Sequence, residues 1–423
     1  MSSESDTSKS APTPRRLTPF VCQGCGCLCD DIEAEAVGDR ISLLAGLCNL
    51  GGEWFETQIT ARAARTAIPL DPQQIDAAAS LLSAARFPAL IGVETLTAES
   101  QRLAVRLAER IGGVIASDPR PAMIARQEVG EVTCTLGEIR ARADLVVFWF
   151  ADPARTHPRH LERYSGDCTG RFIPNGRADR TLIVVDEART ATAALADEFI
   201  ELPANDEFAS LEALRFRINK PDLGRSPPAA ARESAWIEKL AARMQAAKYG
   251  VMVADPSRYA RSSVPLESAF KLVRDLNLHT CFVVSPLAGS GNVKGEESVL
   301  QWLTGFPANV AFQDGLPVYD GNAFSAEALL SRGRVDAAIV FDEHRTLDPL
   351  LQRAQIPTIK IGGDASDAAI HLPAAAPIEC TGTVFRMDGV PLPTTPLFDA
   401  KNPTPERVLE MLIDAVNKRT RPA

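Results

Sequence analysis

The sequence predicts an α/β protein in which two related, doubly wound lobes follow a small cysteine-rich N-terminal domain. Three observations carry the prediction. The chain has 423 residues, room for about three domains of ~150 residues. Beyond residue 72, short apolar runs bounded by turn residues alternate with amphipathic helical stretches, as parallel strands covered on both faces require. Five of the nine cysteines (Cys22, Cys25, Cys27, Cys29 and Cys48) lie in one short stretch. A secreted disulfide framework would spread its cysteines through a short chain, so this clustering points to metal in a reduced compartment.

Composition narrows the function class. Acidic residues number 54 and basic residues 45, a formal charge of −9. With no Lys/Arg block, the chain is a poor fit for wrapping nucleic acid or an anionic membrane surface. No apolar run approaches the ~18–20 residues of a membrane helix. Residues 1–19 are Ser/Thr/Pro/Lys-rich, lack the apolar core of a signal peptide, and read as a disordered tail. The expectation is a cytoplasmic protein.

The elements follow in order. Residues 20–72 form the cysteine domain, with a strand at Asp31–Glu35, a turn at Gly38-Asp39, and then helix and loop. Residues 73–225 form the first lobe: helix Ala77–Ala85, strand Pro88–Val93, helix Ala98–Ile111 with Leu103, Leu107 and Ile111 on one face, and strand Val114–Ala116. A helix end at Gly137–Ala143 and strands at Asp144–Phe150, Arg180–Asp186 and Glu198–Leu202 complete it. The Pro/Ser/Ala-rich stretch Pro221–Ala231 marks the boundary. Residues 226–365 form the second lobe: helix 232–247, strand Gly250–Asp255, helix Pro265–Leu276, strand Thr280–Ser285, a Gly-rich loop, helices near 295–304 and 325–332, and strands Val335–Asp342 and Pro357–Gly362. Residues 366–423 form an extended segment and a closing helix, 404–418, that returns to the N-terminal domain.

The cysteine spacing is Cys22-x2-Cys25-x3-Cys29-x18-Cys48, with Cys27 extra. Three thiols within one short loop and a fourth from a later turn suit a cubane iron–sulfur cluster. A four-cysteine zinc site is the competitor, although zinc ribbons pair two separated Cys-x2-Cys knuckles and Cys48 has no close partner. A vestigial, empty site is the third reading. Cys134, Cys168, Cys281 and Cys380 share no metal spacing and read as buried thiols.

The segment Phe20-Val-Cys-Gln-Gly-Cys-Gly-Cys-Leu-Cys-Asp-Asp-Ile-Glu resembles the start of the B subunit of formylmethanofuran dehydrogenase, a molybdopterin- or tungstopterin-dependent enzyme. The resemblance continues through Arg126-Gln-Glu-Val-Gly, the run from Thr135 to Trp149, Asp152-Pro-Ala-Arg-Thr-His-Pro-Arg-His-Leu-Glu-Arg-Tyr, Arg180–Asp186, Gly291-Asn-Val-Lys-Gly and Arg386-Met-Asp-Gly-Val-Pro-Leu. It implies the first three molybdopterin-oxidoreductase domains without the C-terminal β-barrel domain. It also implies a 4Fe-4S cluster on Cys22, Cys25, Cys29 and Cys48, beside lobes that clasp a molybdopterin guanine dinucleotide carrying Mo or W.

One departure matters. At the family's metal-binding cysteine this chain has Asp118, and at the following histidine it has Pro119. A carboxylate is a harder ligand than a thiolate, and an acid–base group beside the metal is gone. Asp118 is therefore the candidate catalytic position. The departure is similar to the B subunit of the bacterial formyltransferase/hydrolase complex. There, formyl transfer through a methanofuran-type carrier belongs to an amidohydrolase-like A subunit and a formyltransferase D subunit, beside a C subunit. The resemblance implies a non-redox scaffold or carrier-binding subunit in tetrahydromethanopterin-linked one-carbon metabolism, the alternative being an active molybdenum or tungsten oxidoreductase subunit.

Two further motifs are candidate cofactor-binding elements. Gly289, Gly291 and Asn292 lie in a loop between a strand and a helix, where backbone amides can face a phosphate; a plain turn is the competing reading. His157, Arg159 and His160 form a polar knot that could line a pterin or methanofuran channel or contact another subunit. Neither Gly-x-Ser-x-Gly nor His-Glu-x-x-His occurs, which weakens a self-contained hydrolase reading.

Overall fold

Two apolar residues seat the first strand. Arg15–Phe20 (β1) pairs antiparallel with Ile32–Val37 (β2), which turns at Gly38 into Arg40–Ala45 (β3). Leu17 packs on the core, and Phe20 meets Phe55 with ring centroids 5.4 Å apart. The disordered tail expected over residues 1–19 thus does not hold for Arg15–Pro19, where Leu17 and Phe20 supply the burial that their polar neighbours lack. The computed structural model describes residues 14–65, 67–118, 120–219, 235–341, 347–363, 365 and 368–420. Pro119, the stretch 221–231 and the rest of the tail lie outside the described residues.

Helix α1 (Asn49–Ala64) follows Cys48. Helix α2 (Pro72–Ala84) opens ahead of the expected Ala77, because Asp71 caps it and Pro72 takes the first helical position. Then come β4 (Pro88–Ile91), α3 (Ala98–Ile111) and β5 (Val114–Ala116). The chain next builds α4 (Pro121–Val129), α5 (Leu136–Arg142), β6 (Leu145–Trp149), α6 (Pro153–Thr156), β7 (Thr181–Asp186), β8 (Glu198–Glu201), α7 (Glu207–Asn219), α8 (Ala235–Ala246), β9 (Gly250–Ala254), α9 (Val264–Leu276) and β10 (Phe282–Pro286). It ends with α10 (Val293–Thr304), β11 (Val310–Ala311), β12 (Val318–Tyr319), α11 (Ala326–Ser331), β13 (Ala337–Phe341), α12 (Asp348–Ala354), β14 (Thr358–Ile361), β15 (Ile370–Leu372), the hairpin β16 (Gly382–Phe385) and β17 (Pro391–Thr394), and α13 (Pro405–Thr420).

Two mostly parallel sheets carry the fold. One has the order β10-β9-β6-β7-β8 and the other β12-β11-β5-β4-β13-β14-β15. All five residues of β6 are buried, each large side chain contributing about 1.5–3 kcal/mol. The sheets correct the expected domain limits. Strands β4 and β5 share a sheet with β13 and β14, while β6, β7 and β8 share one with β9 and β10. The first-lobe and second-lobe ranges 73–225 and 226–365 therefore each divide between the two sheets, with residues 121–290 inserted between β5 and β11. Alternation reveals strands but not which sheet each one joins. In the C-terminal segment, the Met387 amide donates to the Gly26 carbonyl of the cysteine loop at 3.0 Å. Helix α13 instead packs on α2 and α3.

Arg180 ties the end of α5 to the loop beyond the histidine motif. Its Nε donates to the Ala143 carbonyl (3.1 Å), Nη1 to those of Gly166 (2.9 Å) and Cys168, and Nη2 to that of Arg140 (2.5 Å). The guanidinium's donors thus satisfy carbonyls orphaned by a helix end and a tight loop. Arg180→Ala should cost about 3 kcal/mol by stranding those carbonyls, read as a lower denaturation midpoint.

Candidate functional site

The cysteine loop is closed by its own backbone. The Cys22 amide donates to the Cys29 carbonyl at 2.9 Å, and the Leu28 amide to that of Cys25 at 3.1 Å. The loop also docks on the strand β10 exit. The Gly26 amide donates to the Ala288 carbonyl at 3.2 Å, and a Cβ at position 26 would sit 2.4 Å from that oxygen. Only glycine permits the approach.

Cys48 caps α1, its Sγ accepting from the Gly51 amide at 3.4 Å. Cys22 Sγ accepts from the Gly24 amide at 3.4 Å and lies 3.2 Å from where a Gly51 Cβ would stand. The two thiols therefore flank one helix N-terminus. Burial pushes the Cys22 thiol up to about 12, and ionised Cys29, Cys25 and Cys48 would raise it further. Burial also raises Cys29, against a hydrogen bond from Arg163, and a hydrogen bond with Cys27 holds Cys25 below the usual thiol range. Among the described residues, no three His, Cys, Asp or Glu side chains converge on a point that could hold a single ion.

Arginines surround the thiols. Arg159 forks onto Asp31 with two 2.7 Å bonds, and Arg163 donates to Asp30 at 2.7 Å, both carboxylates directly following Cys29. Arg386 lies on the same side, over the Tyr164 ring at 5.7 Å. This concentration of cations suits an anionic thiolate-bound group.

A cavity of about 570 Å³ opens on the other side of the loop. It lies past the carboxyl ends of β4, β5, β6, β9 and β10, where open α/β sheets bind ligands. Cys25, Asp118, His157 and Gly289 all line it, so four of the sequence-predicted positions converge. His157 is oriented by its neighbours: Nε2 meets the Ala288 carbonyl at 2.8 Å and Nδ1 the Thr156 hydroxyl at 3.0 Å. Burial lowers its pKa, so the ring is neutral at pH 7.

Four expected cofactor contacts are instead structural. Arg159 is spent on Asp31 and Glu162. His160 is fully buried against Ser165, whose hydroxyl lies 2.9 Å from Nδ1. Gly291 adopts φ 81, close to the Glu94 carbonyl. Asn292 is a buried hub: Nδ2 donates to the Leu96 carbonyl (3.0 Å), and Oδ1 accepts from the Phe385 amide (2.7 Å). The expected phosphate cradle is thus a brace between α3, α10 and the β16 hairpin. Of the four cysteines expected to be buried, Cys134 and Cys380 are, Cys168 is only partly so, and Cys281 is exposed, because β10 begins only at Phe282.

Sequence reasoning missed the charged lining. Glu94, Asp255, Glu297 and Arg120 face the cavity beside Asp118. Behind them, buried Glu296 accepts from the Ser117 hydroxyl at 2.5 Å and from Arg120 Nη2 at 2.6 Å. Asn309 Oδ1 accepts from the Ser117 amide at 2.9 Å, so Asp118 sits on a pinned loop. The one available signal is the acid pair Glu296-Glu297 in the first turn after a Gly-rich loop. Among the described residues, four carboxylates and one arginine line the cavity, an acid-rich wall that does not favour the pyrophosphates of pterin dinucleotides, although Lys294 and Arg126 pair with Glu297.

These features define the class: a mixed α/β subunit of mostly parallel sheets, with a cysteine loop closing one end of a cavity at the strand ends. The chain belongs to the family of formylmethanofuran dehydrogenase B subunits. It is 32% identical to the B subunit of the tungsten-containing formylmethanofuran dehydrogenase 2 of Methanocaldococcus jannaschii, over 94% of this chain and 98% of that one. It is 28% identical to the B subunit of the formyltransferase/hydrolase complex of Methylorubrum extorquens, over 63% of this chain and 70% of that one. A chain in the crystal structure of that complex with methylofuran shares the fold, with TM-score 0.67 and 25% identity over 82% of this chain and 96% of that chain. No family model matches the sequence. Among the described residues, no helix is long and apolar enough to cross a membrane.

Burial raises the Glu296 carboxyl to about 7 despite the facing Arg120. A raised folded pKa means that the folded state binds the proton more tightly, so this contribution to stability is complete at low pH and is lost as pH rises towards 7. The stability of the wild type relative to Glu296→Gln should therefore fall between about pH 4.5 and 7, as measured by denaturant titration at several pH values.

Proposed function

We propose that this chain is the B subunit of a formylmethanofuran dehydrogenase-like formyltransferase/hydrolase complex. It works in tetrahydromethanopterin-linked one-carbon metabolism in the cytoplasm, where formyl groups pass to formate through a methanofuran-type carrier. It scaffolds an amidohydrolase-like A subunit, a C subunit and a formyltransferase D subunit, and its cavity takes part of the carrier. The Cys22–Cys48 region is the iron–sulfur-type domain of the molybdopterin-oxidoreductase plan, and the two sheets are its paired lobes. The observation that carries the non-redox assignment is the cavity lining, in which Asp118 stands at the position of the metal-binding cysteine among Glu94, Asp255 and Glu297. That lining repels a bis-pterin group and offers no soft metal ligand at position 118.

The cysteine loop, by contrast, suits a 4Fe-4S cluster on Cys22, Cys25, Cys29 and Cys48. Cys48 caps the N-terminus of α1 with Cys22 beside it, and Arg159 and Arg163 stand next to the loop. Such a cluster would supply a compact anionic cross-link between the loop and α1, and this chain's residues hold it in place. The retained cysteines also support a second reading, an active tungsten or molybdenum subunit with Asp118 on the metal.

Anaerobic purification of the complex with its neighbouring subunits, followed by metal analysis and low-temperature electron paramagnetic resonance, separates the two. The expected result is iron without molybdenum, tungsten or pterin, together with co-purification of a formyltransferase subunit. Stoichiometric molybdenum or tungsten would overturn the non-redox assignment. Cys48→Ser should lose most of the bound iron.

A further inference from the structure

Two polar atoms behind the cysteine loop have no hydrogen-bond partner among the described residues: Tyr164 Oη and His160 Nε2. Both side chains are deeply buried, Tyr164 at 4% exposure and His160 at 0%. They belong to one turn of π-helix, Leu161–Ser165, and its N-cap, a conformation rare in proteins and concentrated at functional sites. The rest of the turn is tied down. His160 Nδ1 meets the Ser165 hydroxyl, the His160 ring stands edge-on to Tyr164 at 6.1 Å, and Arg163 reaches Asp30. The tyrosine ring is therefore held, and its hydroxyl is left over.

Thiols and cations lie near this tyrosine. Tyr164 packs in the same core cluster as Cys22, Cys27 and Cys29. The Arg163 and Arg386 guanidiniums lie 5.1 Å and 5.7 Å from its ring centroid. A tyrosine hydroxyl carries a proton at neutral pH and is therefore a donor. A buried donor without an acceptor is a standing cost to the fold. Its retention among thiols and cations points to an acceptor that is anionic and soft. Sulfurs of iron–sulfur clusters accept such bonds, and those bonds raise the cluster's reduction potential.

We propose that the Tyr164 hydroxyl donates a hydrogen bond to a sulfur of the iron–sulfur cluster held by the cysteine loop, making Tyr164 a positioning residue for that cluster. This rests on the cluster reading given above. The neutral, fully buried His160 ring braces the tyrosine from behind, and Arg163 and Arg386 make the pocket favourable to a thiolate-bound anion.

Tyr164→Phe removes one oxygen and keeps the ring. The test uses the full chain in its co-expressed complex, purified anaerobically, with iron and sulfide reconstituted or chelated away. In the cluster-free protein, Tyr164→Phe should raise the melting temperature, because an unpaired buried hydroxyl is deleted. In the loaded protein that gain should disappear or reverse. The loaded variant should match the wild type in iron and sulfide content, yet its midpoint potential, followed by electron paramagnetic resonance, should shift to more negative values. An equal potential with the same thermal gain in both forms would overturn the hydrogen bond while leaving the cluster intact. Failure of the wild type to assemble any cluster would overturn this inference together with the cluster reading.

Discussion

One carbonyl joins the parts of this molecule that matter for its chemistry. The Ala288 oxygen accepts from the Gly26 amide and meets His157 Nε2 at 2.8 Å. The cysteine loop, the loop after β6 and the loop after β10 therefore meet at one atom, with no room for a side chain at position 26. The cavity exists in its present form because this junction sets the distance between Cys25 on one wall and Gly289 on the other. Neutral His157 can remain there because burial disfavours its charged form, so the junction does not depend on a proton that comes and goes near pH 7.

On either side of that junction, charge is segregated. Arg159, Arg163 and Arg386 gather on the thiol side, each engaging an aspartate: Asp31, Asp30 and Asp388. Carboxylates gather on the cavity side, where Glu94, Asp118, Asp255 and Glu297 face Arg120. The arginine side can stabilise a compact sulfur-bound anion. The acidic side disfavours a pyrophosphate-bearing cofactor. The thiol side is thus built of paired arginines and aspartates, and the cavity side is rich in carboxylates.

Much of the fold is legible in the sequence because its signals are local. Helix α3 occupies Ala98–Ile111 as its apolar spacing predicts, and strand β6 is buried throughout, as a continuous apolar run implies. Helix α2 reads short from periodicity because Asp71 and Pro72, a capping pair, precede the apolar stripe. The insertion of residues 121–290 between β5 and β11 is not legible. The sequence is equally compatible with two lobes in succession, and only the hydrogen-bond ladder from β4 to β13 reveals the crossing.

The site divides in the same way. By itself, the sequence determined that five cysteines share a short stretch, that an aspartate stands at position 118, and that the chain's family is one of formyl-handling enzymes. These properties depend on residue identity and spacing. The tertiary structure decided which candidates face the cavity. Cys25, Asp118, His157 and Gly289 do, while Arg159, His160, Gly291 and Asn292 turn inward to satisfy buried polar groups or to fit a tight backbone approach. A polar side chain in a loop serves whichever partner lies nearest in space, and that partner is set by packing between segments far apart in the chain. The acid-rich lining likewise emerged only when the segments after β4, β5 and β9 and the start of α10 each brought a carboxylate to one cavity.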